Sequence, residues 1–191
     1  MLPVQRNEII DYQTYNDRRS NIRPDVLQTK RNRRVMIGEA LTLLFENHET
    51  IWYQIQEMMR AEKIVREVDI LHEINTYNEL LGGQGELGVC LLIGISDPDD
   101  RAKKLADWVG LLETLYVELA DGTRIPATWD KRQVETERIS SVQYLKFQVN
   151  GQVPVAAGCD FSDPMVRHRV VISADVQAAL TADLATDTEP S

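Results

Sequence analysis

Residues 48–81 constrain the fold most. Their apolar side chains recur at helical spacing, and Ile51, Trp52, Ile55, Met58 and Met59 share one face of a helix over about 49–65. A second helix, over about 68–81, presents Ile70, Leu71, Ile74 and Leu81, with Tyr77 and Asn78 on the same face. Glu62 falls in the middle of the first apolar face. A carboxylate placed there needs a hydrogen bond, an ion pair, a metal or a proton.

The rest of the chain supplies strands and further helices. Residues 7–20 read as helical, with Ile9, Ile10, Tyr12 and Tyr15 for packing, and Pro24 suits the first turn of a second helix to about Asn32. Residues 34–37 and 40–46 flank Gly38-Glu39 as a hairpin. Gly82-Gly83-Gln84-Gly85 follows a helix and precedes a strand at 87–95, the reverse of the order a phosphate cradle needs. Asp97-Pro98-Asp99-Asp100 is a helix start, and Leu105, Trp108, Val109 and Leu112 give that helix its apolar face.

Beyond it the period changes to two. Residues 115–119 and 124–127 flank Asp121-Gly122 as a hairpin. Leu145, Phe147 and Val149 alternate with polar neighbours, and Asn150-Gly151 signals another hairpin whose second strand Pro154 confines to an edge. A strand at 169–172 and a helix at 174–184, capped by Ser173, complete the order. Regular strand–helix alternation is missing, so the expectation is an α+β fold, with a mainly antiparallel sheet packed against helices. One domain should span 1–185, with a polar tail at 186–191.

Charge and composition narrow the function classes. The net charge is −9, and it is uneven: residues 1–66 carry 11 basic against 9 acidic side chains, the remainder 10 against 21. An acidic surface of this kind argues against general nucleic-acid binding. No apolar run is long enough to cross a membrane, and the first residues lack the apolar core of a signal peptide. Two cysteines far apart, Cys90 in an apolar run and Cys159 in a loop-like segment, suit a reducing cytoplasm.

Two groups of residues carry the candidate chemistry. The first is a polar cluster of Glu46, Glu57, Glu62, Glu73, Tyr77 and Asn78 around the two central helices. Its simplest use is structural, with Arg66 four residues from Glu62 as the pairing cation. A metal would draw on Glu62, His48 and His72, but the only spacing resembling a carboxylate-histidine motif is Asp69-x-x-His72, which occurs once. The second group is a basic knot of Lys30, Arg31, Arg33 and Arg34, either a solvated helix end or a docking surface for an acidic partner.

Arg33-Arg34-Val35-Met36-Ile37-Gly38, Leu43-Leu44-Phe45-Glu46-Asn47, Thr50, Tyr53-Gln54-Ile55-Gln56-Glu57-Met58, Glu62 and Glu73-x-x-x-Tyr77-Asn78 together resemble an uncharacterised bacterial family, domain of unknown function 3501. The resemblance covers nearly the whole chain and is densest over 33–78. It implies neighbours rather than a mechanism: such genes often lie beside rubrerythrin and an iron–sulfur oxidoreductase. Family members often carry Asp-His-Pro near the C-terminal end, where this chain reads Asp160-Phe161-Ser162-Asp163-Pro164, so no role is assigned there.

Two readings follow. One is a cytoplasmic accessory protein of a redox or peroxide-defence system that binds a rubrerythrin or iron–sulfur partner through the basic knot. The other is an enzyme or sensor with a carboxylate-rich metal or small-ligand site between the helices at 49–65 and 68–81. Two cysteines are too few for an iron–sulfur cluster of the chain's own.

Overall fold

The computed structural model describes residues 1–130 and 137–186. Among them, eight strands form two antiparallel sheets of four. The first runs β1 (Arg34–Ile37), β2 (Leu41–Phe45), β3 (Glu86–Ile93), β6 (Val142–Gln148); the second runs β5 (Arg124–Pro126), β4 (Leu115–Glu118), β7 (Ala156–Cys159), β8 (Arg169–Val171). Five α-helices accompany them: α1 (Tyr12–Arg31), α2 (His48–Glu62), α3 (Glu67–Asn78), α4 (Pro98–Asp107) and α5 (Ala174–Ala185). The α+β expectation holds, with two sheets in place of one.

Strand alternation decides what lies between the sheets. Ile37, Leu41, Leu43, Phe45, Leu87, Val89, Leu91, Leu145 and Phe147 point inward and meet Leu115, Val117 and Ala157 in one core. Trp108 and Leu105 at the end of α4, and Val176, Leu180 and Leu184 of α5, close it. The sheets also touch at their margins. Thr128 and Lys146 exchange backbone hydrogen bonds of 2.8 Å between the end of β5 and β6, and Glu39 in the β1–β2 turn donates to Met165 O at 3.1 Å.

Helices α2 and α3 bury a second, smaller cluster outside the sheets, made by Ile51, Ile55, Met59, Ile70, Ile74 and Leu81. Val4 and Ile9, from the segment preceding α1, fill its open side. The loop after α3 rests directly on β3. A Cβ on Gly88 would lie 2.0 Å from Leu80 O, so only glycine admits that approach.

Several local expectations need correction. The helix starts at Tyr12, not residue 7, and runs through Pro24 without a break. Pro24 removes one backbone donor, but burial of Tyr15 and Val26 beside Tyr53 holds both halves of α1 in place. Asn150-Gly151 does turn the chain, with φ of +52° and +76°. It leads from β6 in one sheet to β7 in the other, so it closes no hairpin. Cys159 belongs to strand β7, which lies between β4 and β8, rather than to a loop. Ala156-Ala157-Gly158-Cys159 carries little strand signal because the space above it is taken: a Cβ on Gly158 would meet the Tyr116 ring at 2.4 Å. Of the expected polar tail, residues 187–191 lie outside the described residues.

Candidate functional site

The polar residues around α2 and α3 separate into four settings. Glu46 directly follows β2 and is 7% exposed. It accepts a short hydrogen bond from the Thr50 hydroxyl, while Asn47 and Thr50 cap the start of α2 through reciprocal bonds of 3.0 and 2.9 Å. Burial holds the Glu46 carboxyl above the ordinary carboxylate range, with Thr50, Lys30 and Arg33 opposing the shift.

Glu57 ties α2 to α1. It accepts from the Tyr15 hydroxyl at 2.6 Å and from Arg19 at 2.7 and 2.9 Å. Burial alone would raise its carboxyl, but the Arg19 and Tyr15 bonds outweigh burial and the group is lowered. The same burial, with the Glu57 charge, raises the Tyr15 phenol.

Asn78 serves the chain's own first residues. Its side chain accepts from Val4 N at 2.9 Å and donates to Val4 O at 3.0 Å.

Glu62, Glu73 and Tyr77 share the outer side of the α2–α3 pair. Glu62 is exposed, not buried on the apolar face. The helix ends at Glu62, Lys63 turns away with φ of +54°, and it is Ile64 beyond the turn, not Glu62, that packs against the Met59 cluster. The expected Arg66–Glu62 pair does not form; Arg66 approaches Asp69 at 3.3 Å instead. Burial and the Glu62 charge raise the Glu73 carboxyl. Burial also raises Tyr77, with Glu73 and Glu62 adding to the shift and Gln54 opposing it.

The candidate metal ligands His48, Glu62 and His72 do not come together as one site among the described residues. His48 lies 3.1 Å from Leu2 O and 2.9 Å from Glu8, at the opposite end of α2 from Glu62. His72 is exposed. Among the described residues no group of three or more His, Cys, Asp or Glu is placed to hold a metal ion. Both thiols are free and buried. Burial, then the Glu46 charge, pushes Cys90 up to about 12, and burial raises Cys159 as well, so neither is poised as a nucleophile.

The basic knot is divided by the fold. Arg33 is buried and makes a bidentate ion pair with Asp183 of α5 at 2.8 and 2.9 Å. It is therefore not available for docking. Lys30 is half-buried, with its ammonium 5.2 Å from the centre of the Tyr53 ring. Arg31 and Arg34 remain exposed.

One surface was not anticipated. The registers of β1, β2, β3 and β6 align Met36, Thr42, Leu92 and Val142 in one row across the outer face of the first sheet. Met36 is 64% exposed and Val142 38%, and Thr42 and Leu92 are half-buried. The adjacent row is Arg34, Leu44, Cys90 and Tyr144, of which Arg34 and Tyr144 are exposed. Beside Tyr144 a cleft of about 210 Å³ is lined by Trp129, Lys146, Leu80 and Glu79. Strand alternation alone marks each of these residues as outward, but only register shows that they adjoin.

Known proteins add kinship without an activity. No curated protein matches the chain. A crystal structure of a novel protein of unknown function from Burkholderia pseudomallei K96243 superposes with a TM-score of 0.86 at 29% identity, covering 96% of this chain and 100% of that one. Matched over residues 3–184, the chain belongs to the family described as Protein of unknown function (DUF3501).

Proposed function

We propose that this chain is a partner-binding accessory protein that docks through the outer face of its first sheet. One observation carries the reading: a row spanning all four strands, Met36, Thr42, Leu92 and Val142, three of them apolar, with Met36 and Val142 exposed and the two between them half-buried. Exposed apolar patches with polar rims mark interaction surfaces on soluble proteins. Arg34, two residues from Met36 on β1, places positive charge beside this one. The surface suits a partner with an apolar patch edged by carboxylates, and arginine at such a rim steers association and sets orientation. The family resemblance supplies the partner class: a rubrerythrin or an iron–sulfur oxidoreductase, in a cytoplasmic redox or peroxide-defence system. The chain would contribute binding and the partner the redox centre.

The test is a calorimetric titration of the purified chain with each partner at two salt concentrations. Micromolar or tighter binding that weakens with salt supports the proposal. Absence of binding to both would end it.

A second reading rests on the charge coupling of Glu62, Glu73 and Tyr77. A raised carboxyl beside a second carboxylate can bind a cationic small molecule or move a proton. Glu73→Gln would then abolish ligand binding or turnover while leaving partner binding unchanged.

A further inference from the structure

Before α1 begins, residues 1–10 cross the helix pair as a strap with one 3-10 turn at Arg6–Glu8. Side-chain amides hold its backbone at two points. Asn78 both accepts from and donates to Val4, at 2.9 and 3.0 Å. Gln56 does the same at Ile10, at 2.9 and 3.1 Å. An amide used in this way gives a peptide unit one acceptor and one donor, whatever side chain that unit carries. Val4, at the first clamp, and Ile9, just before the second, drop into the apolar groove lined by Ile51, Ile55, Met59, Ile70, Ile74 and Leu81.

Main-chain clamps with side-chain pockets between them are how receptors take up peptide segments. Gln56 is fully buried, and its two bonds satisfy the Ile10 N–H and C=O that an apolar side chain there would leave unpaired. The outer bonds of the strap are of a weaker kind. Arg6 pairs with Glu67 in the open, and Glu8 O accepts from Trp52 Nε1 at 3.0 Å at the surface.

We propose that the α2–α3 groove is a peptide receptor, that residues 1–10 are its intramolecular occupant, and that a partner's segment displaces them. The seated strap defines what fits: two aliphatic residues five apart, as Val4 and Ile9 are, with a basic residue between them facing Glu67 and an acid facing His48. The residues involved are separate from the Met36 row, so the two surfaces can fail independently.

The probe is a labelled synthetic peptide of residues 2–11, added to the full chain carrying Val4→Asp and Ile9→Asp. Saturable binding to this variant, at least about tenfold weaker when Gln56→Ala is added and weaker still to wild type, is the expected result. A folded variant that does not bind the peptide overturns the proposal. Should the variant not fold, hydrogen exchange on wild type decides. The Val4 and Ile10 amides should exchange by local opening, at least about a hundredfold faster than Leu91 in β3. Protection equal to that of Leu91 would make the strap part of the global core and overturn the proposal. Concentration-dependent dimers of wild type that Gln56→Ala abolishes would assign the groove to strap exchange between copies, which also overturns it.

Discussion

Arg33 and Asp183, 150 residues apart, face each other in a buried, bidentate ion pair that joins the start of the first sheet to the last helix. Asn47 adds a 3.3 Å bond to the same carboxylate, and Thr29 O accepts from the Arg33 guanidinium at 3.1 Å. The carboxylate thus connects β1, the cap of α2 and the end of α5.

Removing one partner leaves the other buried and charged. Asp183→Ala should lower the stability of the fold by about 3 kcal/mol. The double variant with Arg33→Met should lose less than the two single losses added together, because no uncompensated charge remains. Urea denaturation of the four proteins measures both quantities.

Glu46 gives a prediction of the opposite kind. Its folded carboxyl lies above the ordinary value of 4.5, raised first by burial. The stability this contributes is present at low pH and is lost as pH rises through the folded value. Glu46→Gln should therefore raise the melting temperature at pH 8, by about 2–4 °C if the charged form costs 1 kcal/mol in a domain of this size. The advantage should vanish by pH 4. A thermal scan across pH checks the sign directly.

Glu57 and Asp163 titrate the other way. Glu57 is lowered, since its bonds from Arg19 and Tyr15 outweigh burial. Asp163 is lowered to about 2, first by Lys104, then by Trp108 and the Met165 backbone. Lowered carboxylates stabilise above their unfolded values and lose that contribution as pH falls through the folded ones. Wild type should weaken progressively below about pH 4.5, and Glu57→Gln with Asp163→Asn should flatten that slope while reducing stability at pH 7.

The thiols should be inert in the native state. With Cys90 pushed up to about 12, only a very small fraction is thiolate at pH 8. Ellman's reagent should find neither Cys90 nor Cys159 within minutes at pH 8, and both after denaturation.

Much of the fold can be read from short-range pattern. The caps Asp97 and Ser173, the Asp121-Gly122 turn and the period-two run at 145–149 all appear where residue chemistry puts them. What fails is whatever depends on distant neighbours. Pro24 looks like a helix start because the packing that carries α1 past it comes from Tyr53 on another helix. Glu62 belongs by angle to the apolar face, but a helical wheel carries no information on where the cover ends. Arg33 reads as part of a basic knot, since its partner lies in α5 and nothing local announces it. The Met36 row needs the registers of four strands at once.

The most direct test of partner docking through that row is the affinity of the partner for wild type and for Met36→Lys with Val142→Lys. Both side chains are solvent-exposed, so the variant should keep the wild-type fold and melting temperature. The account predicts at least about a hundredfold loss of affinity, as expected when the apolar centre of an interface is charged. Binding unchanged in a folded variant would contradict it and place the interface elsewhere on the molecule.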